Sequence, residues 1–323
     1  MDGATLSSGA RFNRAPGGLT RVTTAEFPLR LEEVESDGPG GYGYPPLLER
    51  IAHHTGAPVD CIVTAAGTSM ANHLALATLL SPGDEVVIEQ PAYGPLLDVA
   101  HYLGAQVRRV ERRFENDFEV SLGEMERAIT PSTRLVVLTD MHNPSGALLP
   151  AETLRAIGEL AQRVGAQVIV DEAYLDMLFD RAAPYAFSLG ENFIVTTSLT
   201  KTYGLSSLRC GWILAPPELA QRMWQMNDLF AATPAHPAER LAVVAFDHLA
   251  QFRDRAQSRL TTNRVLLDAF LDSRPDLECF RPPGGTIVFP RLRKGDPGRF
   301  FNMLRDAYET TVLPGSFFEL PGP

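Results

Sequence analysis

Residues 198–212 read Ser-Leu-Thr-Lys-Thr-Tyr-Gly-Leu-Ser-Ser-Leu-Arg-Cys-Gly-Trp. They follow an apolar, β-rich run from Phe193 to Thr197 and lead into a second run from Gly211 to Ala215. Lys201 stands just past the first run, with Ser198 three residues before it and Arg209 eight after it. The lysine supplies an amine able to form an imine, and the other two side chains suit a phosphate. An aldehyde that carries a phosphate, pyridoxal 5′-phosphate, needs that combination. Ser-x-x-Lys alone is a weak pattern, and an isolated loop lysine is ordinarily a solvated charge. The surrounding chain has to carry the assignment.

Working outward, a rhythm of short β-rich runs separated by helical stretches begins near residue 60. The candidate strands are Cys61–Ala65, Glu85–Glu89, Gln106–Val110, Leu135–Thr139, Gln167–Val170, Phe193–Thr197 and Trp212–Leu214. Continuous apolar runs between helices predict strands covered on both faces and mostly parallel. Seven such units predict a doubly wound α/β sheet, in which ligands bind beyond the carboxyl ends of the strands. Before the sheet, the Gly/Pro/Tyr-rich residues 36–46 predict a loop, followed by a helix with Leu47, Leu48, Ile51 and Ala52 on its apolar face. After about residue 218 the pattern is helical, with one long helix expected from Ala238 to about Leu271. Cys279 to Pro290 predicts two strands around a Pro-Gly turn. A helix near Arg299–Tyr308 and a strand near Thr311–Leu313 follow. The expected division is an arm at residues 1–35, a large domain at 36–249 and a small α+β domain at 250–323.

The polar residues of interest each follow a candidate strand. Thr68 and Ser69 open a helix after Cys61–Ala65, where free backbone N–H groups and the helix dipole favour an anion, although helix capping by Ser/Thr is the commoner use. Gln90-Pro91-Ala92-Tyr93 follows Glu85–Glu89. His142-Asn143-Pro144-Ser145-Gly146 follows Leu135–Thr139, and Asn-Pro by itself is a common turn pair. Asp171-Glu172-Ala173-Tyr174 follows Gln167–Val170, where a strand-end aspartate is often only a helix cap.

Together these motifs, in this order, resemble the class I/II aminotransferases, the fold-type I pyridoxal-phosphate enzymes. The resemblance covers roughly residues 36–320 and is strongest from Val168 to Trp212. It implies a large domain with a mostly parallel seven-stranded sheet, a small α+β domain, and amino-group transfer from an amino acid to a 2-oxo acid. Lys201 would hold the cofactor as an internal aldimine and then shuttle the substrate Cα proton. Asp171 would pair with the protonated pyridine nitrogen, which lets the ring accept electrons. Asn143 and Tyr174 would bind the phenolate oxygen, Tyr93 would stack on the ring, and Thr68, Ser69, Ser198 and Arg209 would hold the phosphate. Tyr42, in preference to Tyr44, would reach the phosphate of a neighbouring subunit in a homodimer. His142 is read as a turn residue. The family's carboxylate-binding arginine belongs beyond Pro314–Phe318, and the sequence stops at Pro323 before it. Carbon–sulfur lyases and decarboxylases of the same fold share every cofactor residue named here and remain open, as does a non-catalytic regulatory domain.

Composition narrows the partners. A formal charge of −10 argues against nucleic acid. Arg108-Arg109 and Arg112-Arg113 are interrupted by acids and are expected on a solvated face. Three cysteines, Cys61, Cys210 and Cys279, have no metal-ligand spacing and cannot all pair. They suit a reduced, cytoplasmic protein, with Cys61 and Cys210 as small core residues. No run approaches the roughly 18 apolar residues of a membrane span, and the N-terminus does not read as a signal peptide.

Overall fold

The computed structural model describes residues 11–13, 17–30, 34, 37–38, 41–179 and 184–320. Part of the expected 36–46 loop (Ser36, Pro39, Gly40) and much of the expected arm lie outside those residues. The chain runs β1 (Phe12–Asn13), α1 (Pro45–Thr55), β2 (Ile62–Ala66), α2 (Gly67–Leu79), β3 (Glu85–Gln90), α3 (Gly94–Tyr102), β4 (Gln106–Glu111), α4 (Leu122–Ala128), β5 (Thr133–Thr139), α5 (Ala151–Gln162), β6 (Gln167–Asp171), β7 (Phe193–Ser198) and β8 (Cys210–Leu214). Then follow α6 (Pro217–Asn227), α7 (His236–Asp247), α8 (Leu249–Asp272), β9 (Leu277–Glu278), β10 (Arg291–Leu292), α9 (Pro297–Tyr308) and β11 (Thr310–Thr311).

A seven-stranded sheet in the order β2-β8-β7-β6-β5-β3-β4 forms the centre of the molecule. Its strands are parallel except β8, which runs antiparallel to both neighbours, β2 and β7. Alternate side chains enter opposite cores. Val136, Val168, Val195 and Trp212 pack on one face with Leu47 and Ile51 of α1. Leu135, Val137, Ile169 and Ile213 pack on the other with Leu74 and Leu76 of α2. This is why the strands read as unbroken apolar runs: neither face meets water. Burial of each such large side chain contributes about 1.5–3 kcal/mol. Cys61 and Cys210 are buried free thiols, as expected.

Three local expectations fail. The long helix over 238–271 is two helices, α7 and α8, which break at His248, whose backbone (φ −116°, ψ 20°) leaves the helical region. Cys279–Pro290 forms no strands; pairing is confined to its flanks, where Leu277 and Glu278 meet Leu292 and Arg291. The last short strand is Thr310–Thr311, paired in parallel with Phe12–Asn13.

The fourth correction concerns charge. Arg112 does not sit on a solvated face but is buried, while Arg108 and Arg113 next to it in the cluster are half exposed. Its backbone N–H donates to Gln90 O (2.7 Å), which turns the chain inward at the end of β4. Its guanidinium then donates to Glu89 Oε2 (2.8 Å) and to Phe118 O (2.5 Å). Glu89 Oε1 accepts from both the backbone N–H and the hydroxyl of Thr139, each at 2.6 Å. Thr139 Oγ1 in turn accepts from the backbone N–H of Asn143 at 2.9 Å. The ion pair therefore braces the turns after β3 and β5.

Removing one member of such a pair leaves a buried charge without a partner, at a cost of about 3–5 kcal/mol. Urea denaturation of Arg112→Met should show a loss of that order, and adding Glu89→Gln should restore more than half of it. A single variant with the parent's midpoint would mean that the pair braces nothing.

Candidate active site

Every strand-end motif reaches one edge of the sheet, and β8 explains how Arg209 joins them. Because β8 is antiparallel, its first residues lie where its parallel neighbours end: Cys210 pairs with Ala66, and Gly211 with Ser198. Arg209 is thus delivered beside Thr68, far from it in sequence, and on the same edge as Lys201. Its backbone is left-handed (φ 50°), and its guanidinium donates to Ala66 O (3.0 Å) and Ser206 O (3.2 Å). Gly67 has φ +77°, which strains any other residue, and a Cβ there would meet the end of the Arg209 guanidinium. A Cβ on Gly211 would come within 2.5 Å of the Gly67 backbone.

Thr68 Oγ1 donates to Ser198 Oγ at 2.8 Å. The Thr200 hydroxyl, between Ser198 and Lys201, is buried with no hydrogen-bond partner. Hydroxyls, an arginine and the start of α2 therefore converge on one spot. Ser69 and Arg209 there are exposed, so this end of the site is open.

The other end is closed. Asp171, the last residue of β6, is 6% exposed. Its Oδ2 accepts from Asn72 Nδ2 (2.7 Å) and its Oδ1 from the backbone N–H of Ala173 (3.1 Å). Burial pushes its carboxyl up to about 6, against the pull of those two donors and of the Lys201 charge. Lys201 is held below its usual range, chiefly by burial; the Asp171 charge opposes this and the Arg209 charge adds to it. The Lys201 Nζ lies 5.7 Å from the centre of the Tyr174 ring. Burial and the Asp171 charge raise both phenols, Tyr174 and Tyr93, above their usual values, and the Ser69 hydrogen bond tempers the shift at Tyr93. His142 is a buried turn residue: Nε2 donates to Pro91 O (3.0 Å) and Nδ1 meets Ser145 Oγ (2.6 Å). It ties the Tyr93 turn to the Asn143 turn.

The chain does not bring Tyr42 into this group. Tyr42 is 44% exposed, stacks on Trp224 and donates to Asp228 Oδ2 at 2.8 Å. Tyr44 Oη accepts from Arg240. Several residues here do not stand out in the sequence. Gly17 and Gly18 lie against the site: a Cβ at Gly17 would be 2.5 Å from Tyr174 Oη, and one at Gly18 would be 3.5 Å from Lys201 Cδ. Leu19 N–H donates to Lys201 O (3.2 Å). Their only signal is the Gly-Gly pair itself. Asp176, half-buried near the Lys201 loop, accepts from Tyr203 (3.0 Å), Tyr185 (2.7 Å) and His54 (3.1 Å). Burial would raise it, but those bonds, led by His54, hold it below the usual carboxylate range. Asn72 follows Thr68 by one helical turn, a spacing that could have pointed to it.

An amine with a lowered pKa, an anion cradle and a buried carboxylate at one sheet edge define a fold-type I pyridoxal-phosphate enzyme. The fit to that cofactor rests on the glycine-lined cradle at Gly67, the Thr68–Ser198 hydroxyl pair and the paired Asp171. The family profile "Aminotransferase class I and II" matches residues 26–323. Arginine–pyruvate transaminase of Pseudomonas aeruginosa is 29% identical over 280 residues, 84% of this chain and 71% of that protein. Capreomycidine synthase of Streptomyces vinaceus is 31% identical over 264 residues, 81% of this chain and 68% of that protein. A pyridoxal-phosphate-dependent aminotransferase from Streptococcus suis superposes with a TM-score of 0.85 at 24% identity, covering 97% of this chain and 87% of that one, a likeness of fold. The chain belongs to the class I and II aminotransferases, pyridoxal-phosphate-dependent enzymes that pass an amino group from an amino acid to a 2-oxo acid.

Because the folded protein keeps Asp171 protonated up to about pH 6 and the unfolded chain only to about 3.8, stability falls as pH rises between those values. The cofactor-free Asp171→Asn chain should therefore be more stable than the parent at pH 8, by up to about 3 kcal/mol. The gain should vanish towards pH 4. Thermal melts at both pH values check this, and an equal gain at both would exclude burial of a charge as its cause.

Proposed function

We propose that Lys201 is the residue to which the cofactor is joined and the base of the transamination. The single observation that carries this reading is the position of Lys201 between the Arg209 cradle and the buried Asp171, with its amine held below the usual lysine range by burial. A less basic amine is nucleophilic at neutral pH and can take up and release a proton there. Bound pyridoxal phosphate supplies an aldehyde that condenses with amines and a ring that accepts the electron pair left when a Cα bond breaks. Thr68, Ser69, Ser198 and Arg209 would hold the phosphate, with Tyr93 alongside the ring. Asp171 would hold the ring nitrogen in its protonated form, and Asn143 and Tyr174 would donate to the phenolic oxygen. The Lys201 amine would remove the proton from the substrate Cα. Gly17 and Gly18, backed by the hydrogen bond from Thr286 to Gly17 O, limit the water that reaches that proton.

The reading extends to a cytoplasmic homodimer with a small domain from about residue 250. The open anion end favours a second subunit, as do the exposed apolar groups beside α2. Tyr102 is 81% exposed, Leu229 76% and Phe230 53%, and His73 of α2 packs against Tyr102 and Phe230. Among the described residues no helix is long and apolar enough to cross a membrane.

Lys201→Ala should abolish transamination and the visible absorbance of the imine, while Arg209→Lys should weaken cofactor binding and retain that absorbance. The assay is a panel of amino donors, each with and without an added 2-oxo acid, followed by loss of the cofactor's colour and by product analysis. Turnover that continues without the acceptor would reassign the chain to elimination or decarboxylation. Normal turnover by Lys201→Ala would end the proposal.

A further inference from the structure

We propose that Asn72 is a positioning residue that holds Asp171 as a carboxylate facing the cofactor's ring nitrogen, through an amide whose orientation Thr196 fixes. This rests on the reading of Asp171 given above. Asn72 is 4% exposed and Thr196 is 0% exposed, so water cannot substitute for either. Thr196 Oγ1 donates to Asn72 Oδ1 at 2.5 Å. With its oxygen occupied, the amide must present Nδ2 to Asp171, and it does so at 2.7 Å. An amide nitrogen only donates, and a carboxylate only accepts. The contact is therefore favourable to the ionised form of Asp171 and offers nothing to the proton of the acid.

The donor is also neutral at every working pH, so it stabilises the charge without adding one of its own. The charged and titratable groups that bear on Asp171 lie outside α2: Lys201 after β7, Glu89 of β3, Tyr93 after β3, and Glu172 and Tyr174 after β6. Of the side-chain and backbone donors that bond Asp171 directly, Asn72 is the nearer, at 2.7 Å against 3.1 Å for Ala173 N–H.

Placement on α2 supports the assignment. Thr68 and Asn72 are four residues apart on one helix face, about 6 Å along the axis. The first meets Ser198 in the anion cradle and the second meets Asp171 at the closed end. A single rigid helix thus sets the separation between the two ends of the site.

The test uses holoenzyme loaded with pyridoxal phosphate labelled with ¹⁵N in the ring. In the parent the ring nitrogen should show the chemical shift of the protonated form at pH 8. In Asn72→Leu that signal should move towards the unprotonated position, cofactor affinity should fall by about tenfold or more, and kcat should fall further than KM changes. Thr196→Val, which keeps shape and removes only the hydroxyl, should move the signal the same way by a smaller amount, and it serves if Asn72→Leu does not fold. Asp171→Asn separates the two readings. If it loses the protonated signal while Asn72→Leu and Thr196→Val keep the parent's, Asp171 stands and the role of Asn72 is overturned. If Asp171→Asn itself keeps the protonated signal, the reading of Asp171 fails, and this inference fails with it.

Discussion

A carboxylate buried at the end of a parallel strand is the constraint on which the site depends. Asp171 closes β6, and both of its oxygens accept from neutral N–H groups. Burial alone would drive such a group to protonate. Two neutral donors and the Lys201 charge oppose that drive. Much of the architecture of the sheet edge serves to bring those groups to Asp171. α2 must approach closely enough for Asn72 to bond, which requires the tight start at Gly67. Gly67 must then accommodate the Arg209 guanidinium on one side and Gly211 on the other.

The second organising feature is the direction of β8. Had it been parallel to β7, the Lys201 loop would have needed a crossover and Arg209 would have emerged at the opposite edge. An antiparallel return places both cations at the same edge within one short connection. It also sets the electrostatic gradient of the site, with Arg209 at the open end and Asp171 at the closed one.

The sheet was legible in the sequence because its strands are buried on both faces, and burial on both faces leaves an unbroken apolar run bounded by turn residues. The candidate-site motifs stood out because each sits just past such a run, and the fold brings them to one sheet edge. Arg112 was not, because its place depends on a partner on the neighbouring strand, Glu89, and on the packing of Phe118; adjacent charges in sequence gave the opposite impression. His248 was hidden because the apolar spacing of α7 and α8 continues across the break. Residues 279–290 have strand-like composition, but no neighbouring strand among the described residues pairs with them. Gly17 and Gly18 carry no side chain to reveal what they face, although their lack of one is what lets them approach Lys201 and Tyr174.

The charged clusters in this molecule differ in what they carry with them. The Glu89–Arg112 pair and the Asp176 cluster hold their own partners, although burial raises Glu89 and one Arg112 nitrogen is unpaired, and they brace the turns that carry Tyr93, Asn143 and Lys201. Asp171 and Lys201 are less well satisfied: the first is shifted up and the second down, each away from the charged form. Groups held in this way recover the cost of their burial when a ligand brings a matching charge, since anything that binds only the folded state stabilises it by mass action. On the reading proposed above, a cationic ring nitrogen against Asp171 and a phosphate against Arg209 would be such charges. The penalty for burying the carboxylate and the affinity for the cofactor would then be coupled: a change that relieves the first, such as Asp171→Asn, would weaken the second.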